Sequence, residues 1–157
     1  MKKYYNMAIN LNNSGAMNNF GNYYKFIKNY DLMKKYYIMS INLNNSIAMT
    51  NLGLYYQLIM DYEQMKKYYL MAINLKNLNA MNYLANYYKT INDYKNMKKY
   101  YMMAIYLNDS NAMNNLELYY NNKIKLYNFL VNIKSNELID NKIKELINEV
   151  KSNNLIF

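Results

Sequence analysis

The side chains in this sequence that can do acid–base, nucleophilic or ligand chemistry form a narrow set. The chain has no His, Cys, Trp or Arg, so 19 lysines, ten Asp and Glu residues and 22 tyrosines supply its titratable side chains. Without His and Cys it lacks the commonest proton shuttle, the soft metal ligands and the usual partners of an activated nucleophile. Paired carboxylates would still allow general acid–base work. The acidic residues are scattered, however. Asp61 and Asp93 fall where helix caps are needed, and Glu145 and Glu149 fall on the solvated side of a tail helix. A phosphate-cradling loop is also missing, because the only glycines are Gly15, Gly21 and Gly53. Gly21 and Gly53 recur at equivalent places and are read as points of close helix packing. The sequence therefore predicts no catalytic residue, no metal site and no cofactor: the chain is expected not to be an enzyme.

What remains is binding chemistry, and its most visible form is the string MKKYY at Met1, Met33, Met65 and Met97, each copy 32 residues after the last. Lysines beside aromatics can bind nucleic acid. With a formal charge of +9, a row of Lys2, Lys34, Lys66 and Lys98 would attract polyanions in a salt-dependent way. A plainer cause is also available. The composition leans to Asn, Lys, Ile, Tyr, Met and Leu, as an A/T-rich genome would produce, and lysine codons are A/T-rich.

The elements that must position these residues are helices. At about 100° per residue, Ala48, Met49, Leu52, Tyr55, Tyr56 and Ile59 fall on one side of a first helix, A. After Asp61, the residues Tyr62, Met65, Tyr69, Ala72 and Ile73 form one apolar stripe of a second helix, B, and Tyr68, Met71 and Leu75 form another. A surface helix needs an apolar arc of little more than about 100°, so helix B is expected to be packed on two sides. Asp61 can cap helix B, as can Asn29 and Asp93 in their copies. Asn13-Ser14, Asn45-Ser46 and Asp109-Ser110 offer caps for helix A, with Asn77-Leu78 the weaker copy.

One unit cannot bury helix B on both sides, but stacked units can. The predicted fold is all-α: a single α-solenoid domain over 1–157, built from antiparallel helix pairs with a 32-residue repeat. Residues 1–12 form an N-terminal half repeat, 14–44, 46–76 and 78–108 form complete repeats, and 110–134 form a degenerate one. A stripe of Leu138, Ile139, Ile143, Leu146, Ile147 and Val150 predicts a C-terminal capping helix over 136–151. An exposed N-terminal half repeat around Tyr4 and Met7 would permit a homodimer.

The string NLGLYYQLIMDYEQMKKYYLMAINL resembles the tetratricopeptide repeat superfamily. Leu52-Gly53, Tyr56, Met65 and Tyr69 stand at the family's Leu-Gly, Tyr, small-residue and aromatic places. The short link before Ala80 and Leu84 looks like the related Sel-type repeats. The resemblance covers residues 1 to about 120. It departs from the family at Met33, Met65 and Met97, where a small residue is usual, and at Lys28, Met60 and Asn92, where Gly precedes the turn. Ala85 and Glu117 also replace the Gly of the Leu-Gly pair.

This resemblance implies a non-enzymatic protein–protein interaction scaffold that takes a peptide or helix on the concave face made by helix A. The arc of helix A opposite the core supplies the candidates: Asn18, Asn22 and Lys25; Ile47, Leu54 and Leu58; Asn82, Asn86 and Lys89. It changes most between copies, which a face shared by the core would not. Asn can donate and accept towards a peptide backbone, the lysines can meet acidic groups, and the apolar trio can form a pocket. The lysine and asparagine pattern of carboxylate-binding members is not reproduced. The alternative is polyanion or nucleic-acid binding through the lysine ridge. No signal peptide and no apolar run of the roughly 18 residues needed to span a bilayer is present, so a soluble, cytoplasmic protein with no membrane partner is expected.

Overall fold

A computed structural model describes residues 13–132, with side chains described as far as 126. The proposed half repeat (1–12), Lys2 and the capping helix (136–151) lie outside the described residues. Within them the chain is all-helical: α1 Ser14–Phe26, α2 Tyr30–Ile41, α3 Ser46–Leu58, α4 Tyr62–Asn74, α5 Leu78–Thr90, α6 Tyr94–Tyr106 and α7 Ser110–Asn132. The chain divides into two compact units, Met1–Asp109 and Ser110–Phe157.

In the first unit α1 packs on α2, α3 on α4 and α5 on α6, with α2 against α3 and α4 against α5 joining successive pairs. The pairs are antiparallel, since Ser40 near the end of α2 reaches back to the carbonyl of Ser14 at the start of α1. Meanwhile Tyr24, late in α1, stacks on Tyr36 at 5.3 Å. This is a helical-repeat architecture.

The chain reverses at each helix end by the same device. Asn13, Asn29, Asn45, Asp61, Asn77 and Asp93 each accept a bond from a backbone amide of the following first turn, satisfying a donor that the helix leaves free. Asn77, the weaker copy on sequence, caps Ala80 N at 3.0 Å, as Asn13 caps Ala16 N. Just before the caps from Asn29 to Asp93 sit residues with left-handed φ, Lys28, Asn44, Met60, Lys76 and Asn92, and Asn108 shares this conformation before Asp109, all at 57° to 63°. Around Met60 the bonds from Met60 N to Gln57 O and from Asp61 N to Tyr56 O are those of a Schellman ending. Six non-glycine residues thus hold a backbone conformation that glycine would adopt at lower cost.

The core of the unit draws on both helices of each pair, and its helix-B part repeats. Met33, Tyr37, Ser40 and Ile41 are buried in α2, Met65, Tyr69, Ala72 and Ile73 in α4, and Met97, Tyr100, Tyr101 and Ala104 in α6. Burying one such large side chain contributes roughly 1.5–3 kcal/mol. Met33, Met65 and Met97 have no solvent exposure. Ser40, alone among Ser40, Ala72 and Ala104 in being polar, meets the Ser14 carbonyl at 2.7 Å. Gly21 and Gly53 are contact points: a Cβ there would lie 2.4 Å and 2.6 Å from the Tyr37 and Tyr69 rings.

The helical projection misplaced some residues. Ile59, Tyr62 and Leu75, assigned to the core stripes, are exposed. Ile59 and Leu75 are C-cap residues and Tyr62 is the first residue of α4, so all three lie at helix ends, where Tyr62 keeps a tilted ring contact with Tyr87 of α5 at 5.2 Å.

In the second unit, α7 is one 23-residue helix through the stretch read as a degenerate repeat. Helix A ends at Leu58 and Thr90, 32 residues apart, but α7 continues through the corresponding place. Ile124-Lys125-Leu126 stand where Met60-Asp61-Tyr62 make the turn. A β-branched residue resists left-handed φ and lysine cannot cap, so the helix has no reason to stop. Ala112, Leu116 and Tyr119 are buried on it.

Candidate protein-binding face

Of the nine helix-A residues expected to bind a partner, the structure separates two. Asn18 and Asn82 are buried, as is Thr50 at the same place in the intervening copy. Asn18 Oδ1 accepts from Asn51 Nδ2 at 2.9 Å, which ties α1 to α3. Asn82 donates to the Leu78 carbonyl and to the buried Asp109 carboxylate. These groups serve packing between successive helices and are not available to a ligand.

The Asp109 pairing has a local cause. Asn45 and Asn77 donate through Nδ2 to Ser14 Oγ and Ser46 Oγ, linking one cap to the start of the previous helix A. At the third junction Leu78 stands at the serine place and offers no hydroxyl, and Asp109 stands at the asparagine place and has no side-chain donor. Asn82 supplies the donor instead.

The other seven are accessible. Asn22, Lys25, Ile47, Leu58 and Asn86 are exposed, Leu58 to 68%, and Leu54 and Lys89 are half-buried. Asn22 and Asn86, at equivalent places, are held from beneath. Tyr37 Oη donates to Asn22 Oδ1 at 2.7 Å, and Tyr101 Oη donates to Asn86 Oδ1 at 2.6 Å. The rings of Tyr37 and Tyr101 are fully buried, so each carboxamide is oriented by the core. Its oxygen is occupied, and its Nδ2 amino group has no protein partner among the described residues. In the middle copy this place holds Leu54, and the Tyr69 hydroxyl finds Gln57 Oε1 at 2.8 Å instead. The face therefore presents two oriented amide donors, each three residues before a lysine (Lys25, Lys89), with Leu54, Leu58 and Ile47 in the copy between.

The lysines of the alternative site are differently placed. Lys34 and Lys66 are half-buried and paired with Asp31 at 3.2 Å and Glu63 at 2.9 Å. Those hydrogen bonds hold both ammonium groups above the usual lysine range. Lys98 is also half-buried, while the exposed row consists of Lys35, Lys67 and Lys99. The projection put both lysines of each pair at the border of the polar arc and did not tell them apart. In MKKYY, Tyr37, Tyr69 and Tyr101 are buried, whereas Tyr36 and Tyr68 are half-buried in parallel stacks on Tyr24 and Tyr56.

A further exposed apolar feature recurs with the repeat. Ile27, Ile59 and Ile91 lie beyond the ends of α1, α3 and α5, beside Phe26 (84% exposed) and Met60. Their common spacing was the available signal. Among the described residues no cluster of three or more potential metal ligands occurs, and no described helix is long and apolar enough to cross a membrane. The chain matches no family model, and no curated protein matches it significantly.

Proposed function

We propose that the chain is a tetratricopeptide-like or Sel-type α-solenoid with a 32-residue repeat that works as a non-enzymatic protein–protein interaction scaffold. Helix starts at Ser14, Ser46, Leu78 and Ser110, and at Tyr30, Tyr62 and Tyr94, support the repeat length. The partner is an extended peptide or a helix lying across helix A of successive repeats. The observation that carries this reading is the pair of carboxamides at Asn22 and Asn86, each fixed by a buried tyrosine hydroxyl and each offering an amide donor. Such donors match the carbonyl oxygens of a peptide backbone, and pre-orientation lowers the entropy lost on binding. Leu54 and Leu58 supply apolar area between them. Lys25 and Lys89 favour acidic groups on the partner.

Polyanion binding through Lys34, Lys66 and Lys98 has less support, because the first two lysines already face carboxylates. The two readings separate by substitution. Leu54→Asp with Lys89→Glu abolishes partner capture under the scaffold reading and leaves it intact under the other. Lys34→Glu, Lys66→Glu and Lys98→Glu together give the reverse, and a gel shift lost between low and physiological salt would support the polyanion site.

A further inference from the structure

A groove of about 560 Å³ lies between the end of α4 and the length of α6 from Lys99 onward, over Met81 at the start of α5, on residues distinct from the candidate helix-A face. Its apolar lining includes Ile73, Met81, Met102 and Met103, and its two ionisable cations are Lys76 and Lys99. Tyr106, 87% exposed, forms part of its wall.

Two properties of this groove say what it fits. First, it is electropositive in a way the other helix-B surfaces are not. The first turns of α2 and α4 carry Asp31 and Glu63, which pair with Lys34 and Lys66. At the same place α6 has Lys95, and α6 contains Lys98 and Lys99 but no acidic residue. The nearest carboxylates in sequence are Asp93, bonded to Asn96 at the far end of α6, and Asp109, buried against Asn82. Second, the lining is adaptable. Methionine is unbranched and polarisable, so a cleft lined with it can fit varied apolar side chains. One repeat earlier, the places of Lys76 and Tyr106 hold Asn44 and Asn74. Lys76 and Tyr106 thus distinguish this cleft from the equivalent place one repeat earlier, whereas Lys99 recurs there as Lys67.

We propose that the groove binds an amphipathic helical segment of a partner protein, its apolar face seated among the methionines and its Asp and Glu flank against Lys76 and Lys99. A helix laid in a groove buries apolar side chains at helical spacing while its flanks remain at the rim. A bilayer of anionic lipid carries the same charge, but a flat surface cannot fill a cleft between two helices.

The test titrates the full chain against a fluorescein-labelled peptide of Leu and Glu, about four turns long, with Leu at i, i+3, i+4 and i+7. Controls are a peptide with Lys in place of every Glu, a permuted Leu/Glu peptide without helical periodicity, and phosphatidylcholine/phosphatidylserine vesicles. The amphipathic acidic peptide should bind, and Lys76→Glu with Lys99→Glu should weaken it about tenfold or more while conferring binding of the Lys peptide. Met102→Asp, at an exposed position, should weaken binding without lowering the melting temperature. Leu54→Asp with Leu58→Asp should leave this binding unchanged, so failure of the helix-A reading and failure of this one are distinguishable. Any of four results overturns the proposal: no binding, equal binding of the permuted peptide, no inversion of charge preference in the double variant, or vesicle binding with the same dependence on Lys76 and Lys99.

Discussion

The hydroxyl of Tyr37, whose ring has no solvent exposure, donates a 2.7 Å hydrogen bond to Oδ1 of the exposed Asn22. This bond joins the core to the proposed binding face, so a double-mutant cycle should detect it. Asn22→Ala and Tyr37→Phe should each cost about 1 kcal/mol in urea unfolding, with a coupling energy of roughly 0.5–1.5 kcal/mol. Additive effects would mean that the core does not orient the carboxamide.

Gly53 faces the Tyr69 ring, which a Cβ would approach to 2.6 Å. Gly53→Ala should therefore destabilise the fold by about 1–3 kcal/mol through overpacking. The third copy has already accommodated the extra methyl at Ala85. Ala85→Gly should accordingly lower stability as well, by a small packing loss and the added chain entropy of glycine. A rise in melting temperature for Gly53→Ala would refute the close-packing account.

Met60 and Lys76 are exposed and hold φ of 60° and 58°. A side chain in this conformation costs about 1–2 kcal/mol that glycine does not incur, partly offset by the greater chain entropy of glycine. Met60→Gly should raise stability by about 0.5–1 kcal/mol, as should Lys76→Gly, and the two should add because they lie at different turns. Thermal melts of the single and double variants check this.

Burial pushes the Tyr37 phenol up to about 12 and raises Tyr69 and Tyr101 in the same direction. In the unfolded chain tyrosine titrates near 10. A group whose folded value is raised contributes stability that is complete below the unfolded value and is lost as pH climbs through the folded one. Stability should hold up to about pH 10 and fall between about 10 and 12. Phenolate absorbance should show a late-titrating fraction that Tyr37→Phe reduces.

Much of the local architecture is legible in the residues, because it depends on neighbours in sequence. Asp61 capping Gln64 N and the alternation of Tyr68 and Tyr69 follow from spacing alone. Contacts between successive helices are less legible. Asn18, Thr50 and Asn82 vary like a ligand face, yet each is buried, since a projection of one helix cannot show the helix beside it. Lys66 and Lys67 look alike for the same reason. Their difference arises from Glu63, one turn earlier, and from the next pair of helices. The uninterrupted α7 could have been read from Ile124 and Lys125, which remove both the left-handed residue and the cap.

The claim that helix A forms the binding face is tested most directly by site-specific photo-crosslinking. A photoreactive phenylalanine analogue is placed at Leu58 on the helix-A face and, in a second sample, at Lys35 in α2. The account predicts a discrete adduct from position 58 that disappears when Asn22→Asp and Asn86→Asp replace the two amide donors, with none from position 35. An adduct from position 35 alone, or one from position 58 that survives both substitutions, would contradict it.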